Sequence, residues 1–171
     1  MSTDDHTAPL PVLETWFDLQ CPDCHTAQAD LAALRERYGD RLEIRLRHFP
    51  LAKNKHAYAA AQAAEEAYAQ GAGDRYVREL LSRTAELGQR GEELLVALAA
   101  ELGLDADEVE SALFDGRHLL AVDADQAEGR ALGVSGTPTY VVGGERLDGG
   151  RSQEGLRARI EQIVDALPTT A

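Results

Sequence analysis

Two cysteines separated by two residues are the feature of this sequence best suited to chemistry. They are Cys21 and Cys24 of the stretch CPDC, the only cysteines among 171 residues, and His25 follows directly. A pair at this spacing serves a redox dithiol, half of a zinc site, or a covalent haem anchor of the C-x-x-C-H type.

The rest of the sequence favours the redox dithiol. Covalent haem belongs to exported proteins, and the only methionine is Met1, which leaves no methionine as an axial ligand. Zinc needs four ligands, typically from two pairs, but there is no second CxxC and the histidines are not spaced as a pair. A zinc-bridged homodimer and two inert buried thiols remain the alternatives.

The apolar residues after Cys21 predict a helix that ends near Tyr38. Five of them form a stripe at intervals of three and four residues: Cys24, Ala27, Leu31, Leu34 and Tyr38. Cys24 is therefore expected to be buried. Cys21 is expected to be exposed at the helix tip, where unpaired N–H groups and the helix dipole stabilise a thiolate. Pro22 is tolerated in the first turn.

The flanking elements that must position this helix are strands. Residues 12–19 and 42–49 read as strands, so the unit is a parallel β-α-β with a right-handed crossover. The middle of the chain is helical, with Glu65-Glu66 read as part of a solvated face. Helices are predicted at 57–70, about 74–87, about 91–101, from an Asp105/Glu108 capping box to Gly116, and at about 117–131.

Strand character returns before a final helix. Residues 137–142, a Gly143-Gly144 turn and a second strand predict a hairpin, and Ser152 is expected to cap the last helix. Thr137-Pro138 stands directly before the first of these strands. A cis X-Pro bond there costs only about 0.5–1 kcal/mol, although an ordinary turn proline is the alternative. The fold class is α/β, a thioredoxin arrangement with an all-helical insertion.

Four blocks in order give the chain a specific resemblance. FDLQCPDC fits the pattern F-x-D-x-x-C-P-x-C, and RHFPL with the Ala-rich helix after it resembles the start of a helical insertion. GVSGTPT resembles a cis-proline loop, and the predicted hairpin and final helix follow it in the expected order. The chain resembles the DsbA family of thioredoxin-fold proteins. This implies one domain over 12–168, an insertion at about 53–132 and a flexible tail over 1–11.

The resemblance also implies a function and its residues. The expected activity is thiol–disulfide exchange, with Cys21 as the nucleophile, Cys24 as the resolving thiol and no metal or organic cofactor. Pro22, Asp23, Thr137 and a cis Pro138 would contact the substrate, with Thr137 offering backbone hydrogen bonds to an extended chain.

Two departures from the family pattern concern the thiol pKa values. Strongly oxidising members resemble C-P-H-C, whereas Asp23 stands here in the histidine position; a carboxylate there opposes a thiolate and predicts a weaker oxidant. His25 is a candidate to offset this effect, although a solvated histidine is favoured.

The second departure lies six residues before Cys21, where the family often has an acid and this chain has Thr15. Glu14 would reach the thiols only through a bulge, because neighbours in a regular strand point to opposite faces. Asp18 is expected to cap the loop rather than act on the thiols.

Composition limits the partners. The net charge of −13 argues against nucleic-acid binding. No signal peptide or membrane span is visible, so a cytoplasmic location with no membrane partner is expected. The substrate is expected to be a protein or small-molecule thiol or disulfide, and the oligomeric state is left open. The alternatives are a reductase or isomerase that uses a low-molecular-weight thiol, and a redox-switched binding module.

Overall fold

The sheet has four strands, and its central strand leads into the cysteine helix. In a computed structural model, which describes residues 8–149 and 154–168, the strand order is β2-β1-β3-β4. The strands are β1 (Val12–Phe17), β2 (Glu43–His48), β3 (Thr139–Val142) and β4 (Glu145–Asp148). The β1 and β2 strands are parallel, and the pairs β1–β3 and β3–β4 are antiparallel. The predicted arrangement of β-α-β, a block of helices and then β-β-α is observed.

The first helix crosses between the two parallel strands. Helix α1 (Pro22–Tyr38) buries the five stripe residues predicted from the sequence, and Gly39 ends it with a positive φ of 52°, a conformation that favours glycine. The stripe joins Leu13 and Phe17 of β1 in the main core.

A block of helices connects β2 to β3. It comprises α2 (Ala57–Ala69), α3 (Gly73–Leu81), α4 (Thr84–Arg90), α5 (Glu92–Glu101), α6 (Ala106–Asp115) and α7 (Leu119–Ala131). The single helix predicted at 74–87 is wrong, because the chain breaks at Ser82. The Ser82 hydroxyl donates to the Arg78 carbonyl at 3.0 Å and so competes with the helical Ser82 N–H for that acceptor, while the next N–H, of Arg83, donates to the Leu80 carbonyl in a tighter turn.

Helix α2 lies at the centre of this block. Its alanines are mostly buried, and Glu66 is only 6% exposed. The expectation of a solvated Glu65-Glu66 face is wrong, since Glu65 lies 2.8 Å from His48 Nε2 and Glu66 lies 2.6 Å from His118 Nε2. Neighbouring helices cover α2 on several sides because alanine allows close approach.

Helix α6 has half of its predicted capping box. The Asp105 carboxylate accepts from the Glu108 N–H, as expected, but the Asp105 N–H donates to Gln70 Oε1 instead of to Glu108. The capping site therefore also fastens α6 to the end of α2.

The last helix, α8 (Leu156–Ala166), buries Ile160, Ile163 and Val164 on the predicted face. The predicted cap at Ser152, and residues 1–7 of the predicted tail, lie outside the described residues. Within the described ranges, no helix has both the length and the apolar character needed to cross a membrane.

The two faces of β1 have different neighbours. Leu13 and Phe17 point into the core that contains α1, whereas Trp16 packs with Phe49 and Val134 on the other face. Trp16 Nε1 donates to the Asp125 carbonyl of α7 at 3.0 Å. A Cβ on Gly129 of α7 would come within 2.5 Å of the same indole nitrogen, so this close packing requires glycine.

Candidate active site

The two cysteines occupy the first turn of α1 in unequal positions. Cys21 is the N-cap, and its carbonyl accepts the N–H groups of Cys24 at 3.1 Å and His25 at 3.2 Å. Neither cysteine is in a disulfide. Cys24 is 0% exposed, as expected from the stripe.

The expectation of an exposed Cys21 is wrong. The residue is only 6% exposed, because the Thr137-Pro138 loop covers the helix tip. The Cys21 thiol lies 3.9 Å from the Thr137 carbonyl. Cys21 is accessible only along a groove and not from all sides.

The surroundings push the two thiol pKa values apart. The hydrogen bond from the Cys24 thiol, helped by Thr137 and by the backbone N–H groups of Cys24 and Asp23, lowers the pKa of Cys21 to about 6 against the opposing effect of burial. Burial foremost, and then the neighbouring Cys21, raises the pKa of Cys24 well above its ordinary value. The site therefore favours a Cys21 thiolate that accepts a hydrogen bond from a protonated Cys24.

The loop opposite the cysteines is firmly held. The Thr137–Pro138 peptide bond is cis, and the Pro138 carbonyl accepts the Gly149 N–H at 2.8 Å. A Cβ on Gly149 would come within 2.7 Å of that carbonyl oxygen, so the approach needs glycine. Thr137 is 5% exposed.

A groove of about 560 Å³ connects these parts to the surface. It brings together four of the predicted site residues, Cys21, Asp23, Thr137 and Pro138. Pro22 is exposed beside the groove. Sequence reasoning missed Lys53 and Asp148, which also line it, because neither belongs to a motif and only the fold brings them to the cysteines.

Asp18 caps the active-site loop, as expected. Its carboxylate accepts the N–H of Gln20 at 2.7 Å, the N–H of Leu51 at 2.8 Å and Asn54 Nδ2 at 2.8 Å, and burial raises its pKa despite these donors. Its carbonyl accepts the Cys21 N–H at 3.0 Å. Asp18 thus ties the cysteine loop to the chain that follows β2.

Glu14 lies away from the thiols. The pairing of β1 with β2 runs in register from Val12 to Phe17, so the alternative of a bulge is wrong. The Glu14 carboxylate pairs with Arg47 at 2.7 Å and with Arg45 at 3.3 Å. Thr15 takes the inward position, 1% exposed, and donates to the Arg45 carbonyl at 3.1 Å.

His25 is exposed on the first turn of α1. The groups that most strongly set the pKa of Cys21 are Cys24, Thr137 and two backbone N–H groups, and His25 is not among them. This exposed position agrees with the expectation from the sequence that His25 is a solvated histidine.

One cluster outside the groove has donors of the kind that bind metals. Ligand atoms of His48, Glu65 and Asp125 lie within 4.8 Å of one another. These atoms already have protein partners: His48 Nε2 lies beside Glu65, and the Asp125 carboxylate accepts from the His48 N–H and from Arg47 at 2.9 Å. The nearby guanidinium opposes a cation, so this is a structural polar cluster.

Fold and site together define a thioredoxin fold with a helical insertion and a CxxC pair at the start of α1. A family model described as "DSBA-like thioredoxin domain" matches residues 12–161. The chain belongs to this DsbA-like family, and the fold class expected from the sequence is confirmed.

The curated relatives are matched over only a small part of their length. The chain is 38% identical over 157 residues to Na(+)/H(+) antiporter NhaA 1 of Salinispora arenicola, covering 90% of this chain but 23% of that protein. The chain thus spans about a quarter of the length of the curated relatives it matches.

Solved structures support the fold over nearly the whole chain. A thioredoxin-like oxidoreductase from Silicibacter pomeroyi superposes with a TM-score of 0.77 at 22% identity, covering 96% of each chain. The oxidoreductase DsbA from Xylella fastidiosa gives 0.73 at 24% identity, covering 93% of this chain and 88% of that one. Both likenesses concern the fold.

Proposed function

We propose that this chain exchanges disulfides with a thiol or disulfide substrate through Cys21 and Cys24. The observation that carries the proposal is the unequal placement of the two thiols, with Cys21 lining a groove and Cys24 fully buried behind it, which displaces their pKa values in opposite directions. A thiolate that opens on the groove can attack, while a protonated thiol behind it waits to resolve the intermediate.

The reaction runs in two substitutions. The Cys21 thiolate attacks one sulfur of a substrate disulfide, the substrate S–S bond breaks, and one substrate sulfur leaves as a thiolate that takes up a proton. Cys24 then loses its proton and attacks Cys21, which forms the Cys21–Cys24 disulfide and releases the second substrate thiolate. The substrate gains two electrons and the protein loses two; the reverse sequence oxidises a dithiol.

The groove fits an extended substrate. Thr137 and Pro138 precede β3 and face Cys21, so a polypeptide lying along them would place its sulfur beside the nucleophile. Asp23 and Pro22 would border the same path.

The test is turnover with a protein disulfide. Reduction of insulin by this chain, with a chemical reductant to recycle it, is expected for the wild type and absent for Cys21→Ser. His25→Ala is the matched control, because it alters an exposed neighbour in the same turn and should keep the rate. Equal rates for wild type and Cys21→Ser would overturn the proposal. Absence of insulin turnover, together with turnover that appears when glutathione is supplied as the thiol partner, would favour the small-thiol alternative.

The carboxylate of Asp23 is the basis for the reduction potential that we expect of the Cys21–Cys24 pair. We expect a reduction potential nearer the reducing end of the range from about −120 to −270 mV, measured against a glutathione buffer. Asp23→His should make the protein a stronger oxidant, because it removes a carboxylate next to the forming thiolate. Such a potential would suit a cytoplasmic location, which is part of the proposal.

A redox-switched binding module is the second candidate. The observation in its favour is that 90% of this chain matches one part of a protein named as an antiporter. In that case insulin turnover would be absent in the wild type, while oxidation of Cys21 and Cys24 would change binding to a partner.

A further inference from the structure

A second cavity lies where the helical block meets the sheet, away from the groove. It has a volume of about 300 Å³ between α1, α3 and strands β1 and β2. Its walls are largely apolar and include Phe17, Leu31, Ile44, Leu46, Val77 and Leu81. Junctions of this kind, concave and apolar, are common positions for small-molecule sites.

The rim of this cavity carries positive charge. Its charged residues are Arg35, Arg78 and Asp74, a formal charge of +1 in a chain of net charge −13. Within residues 8–149 and 154–168 neither Arg35 nor Arg78 forms a salt bridge, whereas arginines such as Arg37 and Arg47 do. The Asp74 carboxylate accepts the Tyr68 hydroxyl at 2.8 Å.

The two arginines come from different helices that are fastened at the rim. Arg35 belongs to α1 and Arg78 to α3. Gln28 Nε2 of α1 donates to the Arg78 carbonyl at 3.0 Å, which joins the helices beside the opening. Arg35 and Arg78 therefore line one cavity whose other walls are largely apolar.

We propose that this cavity binds a small carboxylate with an apolar tail. The tail would lie against the apolar wall, and the carboxylate would take hydrogen bonds from Arg35 and Arg78, which present forked donors suited to that group. The volume is at the lower end of ligand sites, so a short-chain or single-ring acid fits better than a long lipid. The site is separate from the cysteine groove and independent of thiol exchange.

Octanoate is the probe that tests this site on the full chain. We expect saturable binding by calorimetry, with NMR amide shifts concentrated on Ala29, Ala32 and Val77. The alcohol 1-octanol, which has the same tail without the charge, should bind at least about tenfold more weakly, because charge-assisted hydrogen bonds are lost.

Single substitutions test whether binding depends on the charged residues that line the cavity or only on the overall charge of the protein. Arg35→Ala and Arg78→Ala should each weaken octanoate binding about tenfold. Asp74→Asn should strengthen binding, because it removes a carboxylate from the rim. Arg75→Ala is the matched control, since Arg75 is exposed on the same helix but does not line the cavity. Ala32→Phe, at an exposed lining position, should fill the cavity and abolish binding.

Several results would overturn the proposal. They are equal binding of octanoate and 1-octanol, an affinity unchanged in both arginine variants, amide shifts that map elsewhere, and no saturable binding up to the solubility of octanoate. The rate at which Cys21 is alkylated should match the wild type in every variant, which shows that each remains folded and separates this test from that of thiol exchange.

Discussion

The two faces of the sheet bury ionisable side chains in opposite ways: one surrounds a thiol with apolar groups, and the other pairs opposite charges. On the thiol face, which we define by Leu13, Thr15 and Phe17 of β1 packed towards α1, Cys24 is buried among apolar side chains. On the charged face, which we define by Glu14, Trp16 and Arg47 packed towards α7, ions neutralise one another.

The difference shows what each face does for the molecule. Apolar surroundings keep Cys24 protonated, so it donates a hydrogen bond that stabilises the Cys21 thiolate. Across the sheet, Arg47 pairs with Glu14, Asp125 and Glu128 and lies over the Trp16 ring, which fastens α7 to the sheet. Strand alternation separates the two environments by one residue.

The largest expected effect comes from the thiol face. Cys24→Ser should lower turnover at least about a thousandfold, because a serine hydroxyl cannot form the disulfide that releases the substrate from Cys21. A mixed disulfide on Cys21 should accumulate, detectable by mass spectrometry. Turnover near the wild-type rate would mean that Cys21 works alone and that the burial of Cys24 serves stability only.

The charged face should affect stability without affecting the thiols. Arg47→Met should lower the free energy of unfolding by about 2–3 kcal/mol, because it removes the cation that the partly buried Glu14 and Asp125 carboxylates share. Arg45→Met, on the same strand and face but more exposed, should cost less than about 1 kcal/mol. Urea unfolding followed by fluorescence of Trp16 measures both. A changed pH profile of Cys21 in Arg47→Met would mean that the faces are coupled.

The pH dependence of Cys21 tests the origin of its low pKa. Alkylation should rise with pH through a midpoint of about 6. Cys24→Ala removes the main stabilising hydrogen bond and should move the midpoint towards the ordinary thiol value of 9.0, whereas Cys24→Ser keeps a donor and should move it less. An unchanged midpoint in Cys24→Ala would assign the low pKa to Thr137 and the backbone N–H groups instead.

The same shift has a consequence for folding of the reduced protein. The folded pKa of Cys21 is depressed, so the thiolate contributes stability that is fully present above the unfolded value of 9.0. This contribution is lost as the pH falls through about 6. Denaturation of reduced wild type and Cys21→Ser over this range should therefore show a difference that shrinks towards acid.

An effect smaller than that of Arg47→Met is expected from Thr15→Val. The change removes a hydroxyl that donates to the Arg45 carbonyl while keeping the side-chain shape, and should cost about 1 kcal/mol. It should leave the Cys21 midpoint unchanged. A slower resolution by Cys24 would instead indicate that the hydroxyl takes part in proton transfer from the thiol face.

Local sequence patterns predicted most helices and strands, whereas features that depend on contacts between distant residues were not predicted. The stripe from Cys24 to Tyr38 placed one thiol correctly, because burial of a helix face follows from its periodicity. The exposure predicted for Cys21 was wrong because its cover comes from Thr137, 116 residues along the chain.

Two further features had no local signal. Glu65 and Glu66 are a common solvated pair by sequence, and only the packing of α2 brings His48 and His118 to them. The Arg35 and Arg78 cavity exists only because α3 lies against α1, and no motif marks it.

The Asp18 carboxylate bears on whether the helical insertion is a detachable module. It holds Gln20 in the cysteine loop and both Leu51 and Asn54 at the entrance to the insertion. Excising the segment between β2 and β3 would remove the Leu51 and Asn54 donors and leave the buried Asp18 carboxylate with the Gln20 N–H alone among these three. The segment that begins the insertion is thus part of the scaffold of the cysteine turn, and a minimal thioredoxin cut from this protein would need a new residue in place of Asp18.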